Sequence, residues 1–494
     1  MCSVKRYKLM WTISDKYRSV IYYVGMLCRF VAIVLLLPLF SLFFYPSEWN
    51  QGLYFIVSAV FAYGFSIFCI SLGKSHKQKK LVSGQDAIIV VFSWIFAVIF
   101  SAMPFLISGQ LHFSGSIFEA VSGWTTTGLS VVDVTDIPAM FLLHRSVIQF
   151  FGGVGLVLVV FAILSETYGM RLFSAEGHND RLMPNISKSA RIVMMIYSAY
   201  MVAGIVLYVA FGMPLFDAIN ISMAALSTGG FAVTSNSIAA YDSIPIELIT
   251  VILMILGNTN FAGHLLLVNK RYKQIFKMDE VRFVFIALLL LTGLLSAVGY
   301  YSQTITVRQA FFEAASAITT TGFTITVYSH WRPVAVILLI CFMVIGGGSG
   351  STAGGIKQFR FVVMLKSLVL SIKKRFLPKQ VIKDVILNHA EGTKALDSHQ
   401  TLDIYQFVFL YLLLLLTGSL IISSYGYAFQ DSLFEFASAI GTVGTSVGIT
   451  SINAPLGVLW VEIIGMMLGR LEIVVYIIAF IAIGKDASNI FEKN

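Results

Sequence analysis

Charge is scarce in this chain. Asp, Glu, Lys and Arg make up 12% of its 494 residues, against about 25% in a soluble domain. Hydrophobic residues make up 57%. That balance excludes a soluble globular enzyme and predicts a polytopic membrane protein. Cysteine is nearly absent as well. Cys2, Cys28, Cys69 and Cys341 show no metal-ligand spacing and lie in or beside apolar segments, so they read as inert thiols. No pair of residues resembles a catalytic dyad, and no soluble catalytic domain or low-complexity tail is evident. The first apolar stretch, about 21–45, is too long for a signal-peptide core and is expected to remain in the protein.

The net charge of +9 raises the question of an anionic partner, but its placement answers a different one. Of the 34 basic residues, 29 fall in 1–19, 71–80, 166–191, 269–282, 356–401 and 485–494. The other five are Arg29, Arg145, Arg308, Arg332 and Arg470. Every second connection is therefore basic. The positive-inside rule puts both termini in the cytoplasm. No basic cluster sits on a soluble face, so nucleic acid is excluded as a partner.

Between the basic connections a polar motif recurs four times: Thr125-Thr126-Thr127-Gly128, Ser227-Thr228-Gly229-Gly230, Thr319-Thr320-Thr321-Gly322 and Gly441-Thr442-Val443-Gly444. Each follows a short amphipathic run with a Phe-acid pair near its start: Glu119, Asp217, Glu313 and Glu435. Apolar segments too short to span precede each motif, and full-length ones flank them. The units read 87–107, 116–124 and 139–164; 190–212, 215–226 and 245–268; 282–301, 308–319 and 333–356; and 403–425, 431–440 and 456–484. The predicted fold is an all-α polytopic membrane protein with four parallel helix–pore-loop–helix repeats around a pseudo-fourfold pore, plus an N-terminal helix pair. Its divisions are 1–80, 81–188, 189–280, 281–401 and 402–494. The connection 358–400 is expected to be a polar linker that meets a soluble partner or anionic lipid.

Irregular backbone at membrane depth is tolerated where protein buries it or it lines a watery cavity. Four loops of small residues, threonines and a terminal glycine suit a ring of oxygens that replaces the water shell of a monovalent cation. The loops hold no carboxylate for tight divalent binding. The four acids read first as complements to the positive ends of the half-helices, with attraction of cations to the mouth as the alternative.

Two return helices are unusual. Residues 346–355 hold Gly346, Gly347, Gly348, Gly350, Gly354 and Gly355 with Ser349, Ser351 and Thr352, and cannot form an ordinary helix. The stretch fails the phosphate-loop pattern, and the strand required before a dinucleotide fingerprint is missing. Close packing through small residues is one reading; a flexible intramembrane loop is the other. Arg470 lies about 14 residues from either end of the apolar run 456–484, too deep to reach the interface. It reads as a functional charge, with a buried pair to Glu472 or Glu462 as the alternative. His264 reads as a satisfied core histidine, and Asn258-Thr259-Asn260 as a polar break in its helix.

These motifs resemble the pore loops of potassium channels. With four unequal copies in one chain, the Gly346–Lys357 stretch and Gly469-Arg470-Leu471-Glu472-Ile473, the sequence looks like the Trk/Ktr/HKT superfamily of potassium transporters, most like its bacterial TrkH/TrkG branch. The resemblance covers essentially the whole chain. It implies that Gly128, Gly230, Gly322 and Gly444 are filter residues, with Thr126, Thr127, Thr228, Gly229, Thr320, Thr321, Thr442 and Val443 beside them. It implies a gate at Gly346–Gly355 with Arg470 below the filter. Glycine at 128, where sodium-favouring members have serine, implies selection of potassium. The fourth loop, Gly-Thr-Val-Gly-Thr, departs from an Asn-containing form in relatives. The resemblance further implies plasma-membrane residence (the inner membrane in a Gram-negative cell), potassium as substrate, no covalently bound cofactor, a homodimer, and a cytosolic regulatory subunit that binds nucleotide. Coupling of potassium to sodium or protons by symport, or transport of an organic solute, are the alternatives.

Overall fold

The structure is a computed structural model that describes residues 2–73, 84–155, 186–376, 384–390 and 392–491. The end of the first return segment, 156–164, lies outside the described residues. The chain starts with α1 (Cys2–Val34), turns through a 3-10 segment at Leu37–Phe43, and comes back as α2 (Trp49–Gly73). The basic N-terminal stretch is thus part of a helix and not a separate lead. The two helices approach closely because Gly73 faces Tyr22 and Gly25 faces Cys69, where a Cβ would come closer than 3.0 Å. Between them Glu48 accepts hydrogen bonds from the Ala139 and Met140 amides at 2.9 and 3.0 Å. A carboxylate at a helix N-terminus satisfies orphan donors there and complements the dipole. The pair is thereby fastened to the first repeat.

Each repeat has an outgoing helix, a half-helix, an extended loop and a return helix. The outgoing helices are α3 (Gln85–Ile107), α6 (Ile186–Ala210), α10 (Asp279–Ser302) and α14 (Ser398–Ser423). Their apolar lengths suffice to cross a membrane. The half-helices are α4 (Phe113–Trp124), α7 (Leu215–Leu226), α11 (Val307–Ile318) and α15 (Phe429–Ile440), 12 residues each. At 1.5 Å per residue such a helix covers about 18 Å and cannot span a core of about 30 Å. Buried residues such as Phe118, Phe216, Phe312 and Phe434 anchor the half-helices inside the bundle. Large apolar side chains such as Val60, Phe61, Leu289 and Phe480 face outward.

The return helices differ. α5 (Ala139–Val154) carries Gly152, whose missing Cβ makes room for the Trp124 carbonyl at the end of α4. Gly257 and Gly469 do the same for the Leu226 and Ile440 carbonyls. The second return breaks into α8 (Ile244–Asn258) and α9 (Phe261–Val268), bent by 109°. The polar trio Asn258-Thr259-Asn260 marks the break as expected. The third return, α12 (Pro333–Ile345), stops at Gly346 and resumes as α13 (Gln358–Lys374). The fourth is not one helix with an arginine at its centre: α16 (Leu456–Arg470) and α17 (Ile473–Phe491) meet at 95°. Arg470 ends α16, and Glu472 turns the corner at φ +59°.

The polar connection 358–400 is also more ordered than expected. After α13 comes an antiparallel hairpin, β1 (Val385–His389) and β2 (Gly392–Leu396), with Val385 opposite Leu396 and His389 opposite Gly392. Val385, Leu387 and Leu396 pack with Val362, Val363 and Ile404 in a small apolar cluster. Asp279 at the start of α10 takes the Asn388 amide at 2.8 Å and Lys366 at 2.6 Å. The hairpin is the one departure from an all-helical fold among the described residues.

Candidate permeation site

All four half-helices end in the same way. In the first, the Thr126 amide donates to Gly123 and the Thr127 amide to Ser122. Thr228 and Gly229, Thr320 and Thr321, and Thr442 and Val443 repeat this pair of bonds. The pattern closes a helix with a left-handed residue, a place usually taken by glycine. Here it is threonine each time, at φ 55°, 51°, 53° and 49°. A β-branched residue in that region is strained by about 1–2 kcal/mol. Strain repeated in four copies marks a functional constraint. Gly128, Gly230, Gly322 and Gly444 follow at φ 91°, 72°, 83° and 97°.

The four loops close a ring. A Cβ on Gly128 would meet the Gly229 carbonyl oxygen, and one on Gly230 the Thr321 oxygen. From Gly322 the contact is Val443, and from Gly444 it is Thr127 in the first loop. Each of these approaches is closer than 3.0 Å, so no side chain fits at any of the four positions. The relation returns to its start after four steps. All twelve sequence-predicted loop residues are therefore brought together, each last glycine against a backbone oxygen of the next loop.

The acids behind the loops do not act as expected. Glu119, Glu313 and Glu435 each occupy the seventh position of a 12-residue half-helix, away from its first turn. Only Asp217, in the first turn of α7, fits the dipole reading, and it accepts from Tyr241 at 2.9 Å. The three glutamates are buried and hold the chain that leaves the ring. Glu119 takes Val131 N at 3.1 Å, Ser130 Oγ at 2.9 Å and Arg145 Nε at 2.6 Å. Glu313 takes Ile325 N at 2.9 Å and the Tyr328 hydroxyl. Glu435 takes Val447 N at 3.0 Å, Thr450 N at 2.9 Å and Ser446 Oγ at 2.6 Å. A carboxylate can accept several bonds at once, and charge-assisted bonds are the stronger ones. Arg145 also reaches the Ala232 carbonyl of the second loop and lies over the Phe231 ring, 4.0 Å from its centroid. It was legible in the sequence as an isolated arginine in an apolar helix, but no role followed until Glu119 was placed beside it.

The glycine stretch lies directly against the ring. Gly354 N donates to Thr320 Oγ1 at 2.8 Å, and Thr352 Oγ1 lies 3.0 Å from Thr228 Oγ1. A Cβ on Gly354 would collide with Thr442 Oγ1. The stretch thus touches the strained threonines of three loops. Its other side is tied to the broken second return. Asn258 accepts from Gly348 N at 2.9 Å, Asn260 donates to the Ser349 carbonyl at 2.6 Å, and Phe261 N donates to Gly350 at 2.9 Å. Ser349 N donates to Glu280 at 2.9 Å. Ser351 satisfies the Gly348 carbonyl at 2.6 Å. Gly346, Gly350 and Gly355 have positive φ, and Gly347 packs on Ala353. Lys357 donates to the Ala353 carbonyl and leads into α13.

Arg470 links this stretch to the first repeat. It donates to the Thr352 carbonyl at 2.6 Å, and to Gly152 and Gly153 at 2.6 and 2.9 Å. The bond to the stretch thus goes to a backbone oxygen and not to a serine or threonine hydroxyl. Glu472 is engaged by Arg360 at 2.7 Å, and Glu462 meets the Thr450 hydroxyl at 3.1 Å. His264 is buried, with Nδ1 3.3 Å from the Tyr200 hydroxyl and Nε2 3.0 Å from the Leu256 carbonyl, a satisfied core histidine. Gln149 was missed by the sequence reading. It is fully buried and contacts the second loop, and its signal was a lone amide in the apolar run of α5.

This architecture is shared with known proteins. Residues 56–490 match the family model TrkH, described as a cation transport protein. The chain is 30% identical over 489 residues to the Trk system potassium uptake protein TrkG of Escherichia coli, covering 94% of this chain and 97% of that protein. It is 31% identical over 432 residues to the Trk system potassium uptake protein TrkH of the same organism, covering 82% and 87%. Among solved structures, the potassium transporter TrkH from Vibrio parahaemolyticus superposes with a TM-score of 0.81 at 25% identity, covering 94% of this chain and 98% of that one. The chain therefore belongs to the TrkH family of cation transport proteins, a multi-pass membrane protein built from four helix–half-helix–helix repeats.

Proposed function

We propose that this protein takes up potassium through the ring of four loops, with the ring acting as selectivity filter and the Gly346–Gly355 stretch as its gate. The observation that carries the reading is the closed cycle in which each last glycine meets a backbone oxygen of the next loop. Backbone oxygens held by packed neighbours can replace the hydration shell of a large monovalent ion without a charged ligand. The half-helices point their carbonyl ends toward this ring, and that end of the dipole favours a cation. The glycine stretch lies against three of the four loops and is anchored by Arg470, so it occupies the place a gate needs. The relatives' names support potassium as the substrate.

Membership of a cation transport family supports a transporter, and passage through the ring needs no covalent step and no bound cofactor. Parallel repeats favour a channel-like path over the inverted repeats common in coupled transporters of organic solutes. The basic connections support an orientation with both termini inside, and membership of the family supports placement in the plasma membrane. α13 and the hairpin lie on that basic side and are the natural contact for a nucleotide-binding regulatory subunit, and a homodimer completes the assembly. Expression in a strain lacking potassium uptake tests the substrate. Growth should be restored at limiting potassium, and a failure to restore it at normal membrane expression would count against potassium.

A further inference from the structure

The ring is not uniform, and the irregularity lies at Gly229. The corresponding positions in the other loops are Thr127, Thr321 and Val443, all with side chains. In the second loop the space of that side chain is taken by Gln149 from α5: a Cβ on Gly229 would come closer than 3.0 Å to the amide group of Gln149. The Gln149 Nε2 donates to the Gly229 carbonyl at 2.6 Å, and its Oε1 accepts from Phe231 N at 3.2 Å. The carbonyls of Thr127, Thr321 and Val443 receive no side-chain donor among the described residues.

The other repeats show what normally stands at this place. Gln149 is three residues before Gly152, the glycine pressed on the end of its half-helix. Three residues before Gly257 and Gly469, which make the same contact, are Met254 and Met466, both fully buried. In the third repeat Met343 reaches the next loop as Gln149 does, with its sulfur 3.3 Å from the Thr445 hydroxyl. Thr445 follows the last glycine of its loop, as Phe231 follows Gly230. By position, the other three repeats have methionine where the first has Gln149, and side-chain-bearing residues where the second loop has Gly229.

We infer that Gln149 and Gly229 form a specificity-determining pair that weakens one quarter of the ring as a cation ligand. The inference rests on the ring being the selectivity filter. An amide N–H bonded to a carbonyl oxygen draws on the lone pair that a cation would use and fixes the oxygen's direction. Preference for potassium depends on the number and field strength of the carbonyls around the ion. A ring with one carbonyl engaged by Gln149 discriminates less well against sodium than a ring with four free ones. Gln149 acts through the Gly229 carbonyl and is a positioning residue.

The test exchanges the pair for that of the other repeats. Gln149→Met, Gly229→Thr and the double variant are purified, reconstituted in liposomes, and assayed for potassium and sodium flux. Gly229→Thr alone should lower flux, because the added side chain meets Gln149. Gln149→Met alone should raise the potassium/sodium ratio, because the Gly229 carbonyl loses its amide donor. The double variant should recover flux and raise the ratio about threefold to tenfold, the range one hydrogen bond commands. Recovery of flux with an unchanged ratio would make the pair structural and overturn the inference, as would an unchanged ratio in Gln149→Met if the double variant does not fold. Gly128→Ser is run alongside. If it shifts the ratio and the Gln149 variants do not, this inference alone has failed. If it leaves the ratio unchanged too, the filter reading itself has failed.

Discussion

Replacing Arg470 with alanine removes at least three hydrogen bonds, one to the glycine stretch at Thr352 and two to the end of α5 at Gly152 and Gly153. A hydrogen bond to a charged group contributes about 1.5–3 kcal/mol net. The Thr352 bond ties the stretch itself, so its loss should favour the displaced stretch by at least about 1.4 kcal/mol, a tenfold change in that equilibrium. The stretch keeps its contacts to Thr228, Thr320 and Asn260, so the lower end of the range is expected. The positive charge beneath the ring disappears with the side chain, which lowers the barrier to a cation as well. Potassium flux into liposomes from purified, monodisperse Arg470→Ala protein should therefore rise about tenfold. The potassium/sodium ratio should stay near that of the parent, because these bonds go to carbonyls of α5 and of the glycine stretch and not to the ring glycines. Loss of flux together with destabilisation of about 3–5 kcal/mol would identify Arg470 as a structural partner. Folded protein with unaltered flux would refute both roles.

Deleting Gly347–Thr352 removes the contact to Thr228 and the anchors to Asn258, Asn260 and Arg470, and should give high flux that no longer responds to a regulatory subunit or its nucleotide; low, fully regulated flux would rule the gate out. Gly322→Ala places a Cβ against the Val443 carbonyl at φ 83°. The backbone alone costs about 1–2 kcal/mol, and sodium entry relative to potassium should rise, read by the flux ratio. Glu119→Ala strands the fully buried Arg145. A broken buried pair costs about 3–5 kcal/mol, so thermal stability in detergent should fall steeply, while Glu119→Ala with Arg145→Met should recover part of it.

The repeats were legible because membrane depth leaves few options. A 12-residue apolar run between full spans has to be a half-helix, and a Thr-Gly stretch after it has to be buried by protein. The irregular returns were only half legible. Six glycines announced the break at Gly346, and Asn258 announced the one in the second return. The bend after Arg470 was hidden, because Leu471, Glu472 and Ile473 include no glycine or proline to mark it. Side-chain pairings between distant positions were not legible at all. Glu119 meets Arg145 when α4 packs on α5, and Gln149 meets Gly229 when the second loop closes on the first repeat. Three of the acids were assigned to helix dipoles because distance along the chain hides the amides of the loop that folds back over them. The hairpin at Val385–Leu396 lay in a stretch too polar to read as more than a linker, and its order comes from Val362, Val363 and Ile404 on the neighbouring helices.

The central claim is that the ring passes potassium and discriminates against sodium. The most direct measurement is paired potassium and sodium flux from the purified protein in liposomes, with and without a proton gradient. Potassium should enter faster than sodium, driven by its own gradient alone. Equal sodium and potassium flux, or potassium entry that requires the proton gradient, would contradict it.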